Sequence, residues 1–151
     1  MSIWAPRATV ATVVADERQR FLMVEERDKQ TGLRVFNQPA GHLEAGETLQ
    51  AAALRETHEE TAWHVILTGV IGISLWSPSP GGPSFLRTTF LARVDSFDPN
   101  ARLDPDIIAV HWLSHAELRA LSDRMRSPLV LASIERVRNG AVHPLDTVFN
   151  S

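Results

Sequence analysis

Apolar residues in this chain come mostly in short runs, with one long stretch of helical composition among them. Ala8 to Val14 (ATVATVV) is β-branched and almost wholly apolar, and Phe21 to Glu25 (FLMVE) repeats the pattern after the polar ADERQR turn. Both predict strands, and the short turn between them predicts a hairpin. Val35 to Gln38 extends briefly until Pro39 removes a backbone donor, and Gly41 to Glu47 (GHLEAGE) reads as a glycine-punctuated loop. Helix formers then take over in LQAAALRETHEET, with Thr48 placed to cap the first turn. Val65 to Trp76 and Ser84 to Val94 predict two long strands separated by SPSPGGP, a loop neither helix nor strand accommodates. Ala109 to Leu113 (AVHWL) predicts another strand. Ser114 and Glu117 make a capping box that opens a short helix through Leu121, and Ser127-Pro128 opens a last helix that Gly140 is placed to end. Strands with interspersed helices, and no repeat or linker, predict a single domain over 1–151 of the α+β or α/β class.

Composition narrows the function classes. A chain of 151 residues, 44% hydrophobic and 22% charged, has the balance of an ordinary globular domain with a proper core. No cysteine is present, which excludes a disulfide framework, a thiolate metal site and a cysteine nucleophile, and fits a cytoplasmic setting. The N-terminal stretch lacks a charged segment before a long apolar core, and nothing approaches a membrane span, so no membrane partner is expected. A net charge of -3 without a basic run argues against binding a nucleic-acid polymer. A small anionic substrate remains open if a cation supplies positive charge.

The stretch RETHEE carries that cation question. In a helix Glu56, Glu59 and Glu60 stand at i, i+3 and i+4 on one face, where like charges repel by a few tenths of a kcal/mol per pair. Three such glutamates suit a hard divalent cation, which takes oxygen ligands and leaves positions for water and phosphate. Ala52 and Ala53, one turn earlier, either leave room for a hydrated ion and a phosphate chain or are plain helix formers. Arg55 lies four residues before Glu59 and can hold its carboxylate in one rotamer, a task its planar fork performs more rigidly than lysine. His58 points away from the glutamates.

The run from Gly41 to Trp63, GHLEAGETLQAAALRETHEETAW, fits the spacing G-x5-E-x7-R-E-U-x-E-E-x-G-U at Gly41, Glu47, Arg55, Glu56, Glu59 and Glu60. It resembles the Nudix box, the signature of the Nudix hydrolases. Thr57 stands where an aliphatic residue is usual, and Ala62 where the family has glycine, a position at which a left-handed residue costs alanine up to about 1 kcal/mol. The resemblance implies the Nudix fold, an α+β class α/β/α sandwich with a mixed β-sheet and flanking helices. It further implies Mg2+-dependent hydrolysis of a small-molecule pyrophosphate, with Mn2+ as an alternative ion. The implied metal ligands are Glu56, Glu59, Glu60 and the backbone carbonyl at Ala40 or Gly41. Glu56, Glu59 and Arg55 are the implied catalytic residues, and Glu47 braces the loop against the helix. The general base stays open between a box glutamate and a later acid, Asp104 or Asp106 in LDPDIIAVHW.

Outside the box, NQPAGHLEA, SFLRTTFLA, DIIAVHWLS and RSPLV resemble the NudJ-type branch of that family. Those phosphatases act on thiamine pyrophosphate, hydroxymethylpyrimidine pyrophosphate and, less selectively, nucleoside di- and triphosphates, releasing orthophosphate. A nucleotide-sanitising pyrophosphatase of the dNTP or ADP-ribose type is the alternative, and a non-catalytic binding module is disfavoured because the acids of the box are all present. Substrate-binding candidates are His42, Gln38 and Arg87. The last is a charge in an otherwise apolar strand of a chain whose only lysine is Lys29. Trp4, Phe36 and Trp76 are candidates to stack on the organic part of a substrate. Nothing in the sequence chooses between monomer and homodimer.

Overall fold

The computed structural model describes residues 1–151. Seven strands form two sheets. Strands β1 (Arg7–Val14), β4 (Ala40–His42), β5 (Trp63–Trp76) and β6 (Phe85–Phe97) make a four-stranded mixed sheet in the order β4-β1-β6-β5. Strands β2 (Arg20–Arg27), β3 (Arg34–Asn37) and β7 (Ile107–Ser114) make a three-stranded sheet in the order β3-β2-β7. Helix α1 (Leu49–Thr61) packs on one face of the larger sheet, with Ala52 and Ala53 buried against Val10, Val70 and Phe90. Helices α2 (His115–Ala120) and α3 (Pro128–Arg138) cover the opposite side, where Leu118, Val130 and Ile134 meet Val13, Phe21, Met23, Phe36 and Ile71. A third apolar cluster, Val14, Leu22, Val65 and Ala92, joins the two sheets. The mixed sheet between flanking helices is the expected α+β architecture.

The expected hairpin between β1 and β2 does not form. β1 pairs antiparallel with β4 and parallel with β6, whereas β2 pairs with β3 and β7; a single bridge, Ala15 to Phe21, links the two strands. Val10 to Val14 and Phe21 to Glu26 are buried on both faces, as interior strands are, so each needs a partner on both edges and finds it far along the chain. The expected loop at Gly41 also contributes a short strand, because Ala40 to His42 pairs with Thr9 to Ala11. The long pair β5 and β6 is antiparallel as predicted, and extends to Trp63 and Phe97.

Local signals act where the sequence places them. The Thr48 side chain accepts from the Ala51 N–H, the Ser114 and Glu117 capping box is complete, and Ser127 caps α3 with Pro128 in its first turn. Ala62 ends α1 in the left-handed region at φ 67, so this alanine bears the strain that glycine avoids. Thr57, at the usual aliphatic position, is fully buried and meets the Thr12 hydroxyl at 2.7 Å while bonding back to the Ala53 carbonyl. A matched pair of hydroxyls therefore replaces an apolar contact between α1 and β1.

Candidate active site

Helix α1 and β4 face each other so closely that the Glu56 carboxylate occupies the space a side chain at Gly41 would take. A Cβ there would stand 2.2 Å from the Glu56 carboxyl carbon. One turn on, the Glu60 carboxylate accepts the Ala40 N–H at 2.8 Å. Asp104 approaches from the β6–β7 connection, its N–H bonded to the Glu59 carbonyl at 3.1 Å. Carboxylate oxygens of Glu56, Glu60 and Asp104 all lie within 4.8 Å of one another.

This trio is electrostatically unbalanced. Burial raises the Glu60 carboxyl to about 9, helped by the nearby charges of Glu26, Glu56 and Asp104 and opposed by the Ala40 N–H. Burial likewise raises Glu56, against the pull of Arg55. Only Glu56 of the three has an arginine beside it, and the oxygen donors of the trio fit a hard divalent ion. Glu59 stands to the side, its side chain 41% exposed and bonded to Arg55 at 3.1 Å. Asp106 points elsewhere and pairs with Lys29 at 3.1 Å.

Arg55 organises the outer rim. Its Nε and one terminal nitrogen donate to both oxygens of Glu47 at 2.6 and 2.8 Å, its other terminal nitrogen reaches Glu56 at 2.8 Å and Glu59 at 3.1 Å, and the fork also binds the His42 carbonyl at 3.1 Å. The hydrogen bonds from Arg55 hold the Glu47 carboxyl down at about 2. The brace expected of Glu47 thus runs through Arg55, tying the loop before the helix to the glutamates on it.

Arg87 and Gln38 lie deeper. Arg87, only 7% exposed, donates to the Gln38 side-chain oxygen at 2.7 Å, and the Gln38 amide nitrogen donates to the Val130 carbonyl at 2.7 Å. The Arg87 Nε has no partner in the protein, and neither does the Asn37 side-chain oxygen. Glu26 and Glu60 are the acids that favour the charged form of Arg87 against burial. Two residues of this region escape the sequence reading: buried Glu26 and its partner Arg126, 3.0 Å apart. The visible signal is a pair of acids, Glu25 and Glu26, inside a strand with no turn residue to end it.

The aromatic candidates separate. His42 is exposed, with its ring 6.4 Å edge-on from Phe85, and the Trp76 ring lies 6.0 Å from that of Phe85. Phe85 shares a sheet face with Arg87 two residues on. Phe36 instead is a core residue, capped by Arg124 at 5.1 Å, and Trp4 is 68% exposed near the N-terminus. Ala52 and Ala53 are buried in the apolar core beneath α1. A cleft of about 450 Å³ at the far end of α1, lined by Trp63, Phe97 and Trp112, includes none of the three acids.

The model of the NUDIX domain family matches residues 5–132. Phosphatase NudJ of Escherichia coli K12 is 39% identical over 146 residues, covering 97% of this chain and 92% of the relative. Phosphatase NudJ of Shigella flexneri matches to the same extent. Among solved structures, a NUDIX hydrolase from Nitrosomonas europaea superposes with a TM-score of 0.92 at 39% identity, covering 97% of this chain and 98% of that one. The MutT protein from Methanosarcina mazei Go1, at 18% identity and a TM-score of 0.69 over 92% of this chain and 99% of that one, shares the fold.

Proposed function

This chain belongs to the Nudix hydrolase family, and from that premise we propose that it removes the terminal phosphate of small pyrophosphate esters, thiamine pyrophosphate and hydroxymethylpyrimidine pyrophosphate foremost. The observation that carries the proposal is the convergence of Glu56, Glu60 and Asp104, of which only Glu56 is paired with an arginine. These three carboxylates, with a backbone carbonyl at Ala40 or Gly41, would hold Mg2+, or Mn2+ in its place. Such an ion polarises phosphoryl oxygens and makes water more acidic.

The protein's own residues supply the rest. Arg55 keeps Glu56 and Glu59 in fixed rotamers, and Gly41 leaves the space they occupy. Glu59, outside the trio and open to solvent, takes the proton from the attacking water. The water oxygen bonds to the terminal phosphorus, the bridging P–O bond breaks, and the bridging oxygen leaves on the monophosphate. Phe85, His42 and Trp76 form the face on which the heterocycle rests. The 39% identity to proteins named phosphatase favours cleavage at the terminal phosphorus. Specificity constants for thiamine pyrophosphate, hydroxymethylpyrimidine pyrophosphate, nucleoside triphosphates and ADP-ribose, with products resolved by chromatography, test this. The expected products are the monophosphate and orthophosphate. A preference for ADP-ribose, or release of intact pyrophosphate, overturns it.

A further inference from the structure

We propose that His58, His64 and Asp98 form a second metal site, for a borderline transition-metal ion such as Zn2+, Ni2+ or Co2+, at the C-terminal end of α1. The left-handed turn at Ala62 lays the start of β5 back against the last turn of the helix. That reversal stacks the His58 and His64 rings, with centroids 4.3 Å apart and planes within 11°. Asp98 follows β6, and its N–H donates to the Ala62 carbonyl at 2.8 Å. Its carboxylate lies 2.9 Å from the His58 Nε2. A nitrogen from each ring and an Asp98 oxygen all fall within 4.8 Å of one another.

An ordinary surface ion pair accounts for His58 and Asp98 but leaves His64 unexplained. Donors around one tetrahedral zinc ion lie about 3.3 Å apart, so binding requires the His58 and His64 rings to turn out of their parallel stack and aim their nitrogens at a common point beside Asp98. Imidazole suits Zn2+, Ni2+ and Co2+, whereas Mg2+ prefers oxygen, so the two ends of α1 sort metals by ligand chemistry. An ion here would also tie α1 to the β6–β7 connection, which carries Asp104.

The site does not depend on the proposed substrate, and its test reads a spectrum rather than turnover. Co2+ is titrated into the full chain in excess Mg2+, and its visible d–d absorption is followed. The expected result is one protein-bound Co2+ per chain that Mg2+ does not displace, with affinity at least about ten-fold lower in His64→Ala and in Asp98→Asn. Zn2+ in the same buffer should raise the melting temperature of the wild type and not of His64→Ala, whose circular dichroism is unchanged. Displacement of all Co2+ by Mg2+, wild-type Co2+ affinity in His64→Ala, or equal Zn2+ stabilisation of both proteins overturns the site.

Discussion

Two arginines stand near the acids of the site, Arg55 bonded to Glu47, Glu56 and Glu59 and Arg87 close to Glu26 and Glu60, and they are built on opposite terms. Arg55, at the rim of α1, spends every arm of its guanidinium on Glu47, Glu56, Glu59 and the His42 carbonyl. Arg87, in the interior of β6, has one side-chain partner, Gln38, and an Nε with none. A solvent-touching charge can be over-paired cheaply because water screens it, whereas a buried charge with few partners is held against a desolvation penalty. Arg55 is thus complete as it stands and positions other groups. Arg87 is incomplete as it stands, and its spare donor is what an anionic ligand or a rearranged acid would use.

The sharpest break is expected at Glu60, an acid that neither arginine bonds. Glu60→Gln keeps the size and the bond to Ala40 while removing ligand charge, and should lower Mg2+-dependent turnover about 100-fold or more, beyond the effect expected of groups that only orient a ligand. Turnover near wild type in steady-state assays would remove the trio from the chemistry. Next, Arg87→Ala should cost about 3 kcal/mol in urea unfolding, because Gln38 loses its partner and the buried Glu26 and Glu60 lose a nearby positive charge. A loss of stability with an unchanged Michaelis constant would make Arg87 purely structural, and a raised constant would make it a clamp.

Arg55→Lys should act in the other direction, with turnover down about ten-fold and stability nearly intact, since one ammonium cannot reproduce the forked contact with Glu47. Equal loss of stability in both arginine variants would erase the distinction between them. The smallest effect concerns pH. With its carboxyl lowered to about 2 by Arg55, Glu47 contributes stability that is present above the ordinary carboxylate range and lost as pH falls from about 4.5 to 2. Melting temperatures of wild type should therefore decline more steeply over that window than those of Glu47→Gln.

What the sequence disclosed was local. Thr48, the Ser114–Glu117 capping box and Ser127-Pro128 act through neighbours a few residues away, so their helices could be read directly. The box motif did the same for Glu56 and Glu60, four residues apart on one helical face, and for Arg55, four residues before Glu59. The misreadings involve partners far apart in sequence. β1 and β2 have the composition of a hairpin, but strands buried on both faces take their partners from wherever the topology delivers them. Asp104 joins Glu56 and Glu60 from a distant connection, although the Asp-Pro pair by itself reads as a turn. Gln38 and Arg87 were separate substrate-binding candidates in the sequence, and only the packing of the sheet, with β1 between β4 and β6, makes them one buried couple.

The pairing of β1 with β6 has a consequence for how the chain reaches this structure. Val10 lies opposite Thr88, so the central strand of the larger sheet, made first, must await one made much later. At roughly 5–20 residues per second, several seconds of synthesis separate them. During that interval ATVATVV is an apolar strand with one edge unsatisfied, a segment prone to wrong partners. Because so many of the core contacts close long loops, folding should be slow for a domain of this size and should finish only once β6 has emerged. Hydrogen-exchange pulse labelling during refolding would then show β1 and β6 gaining protection together, after α1.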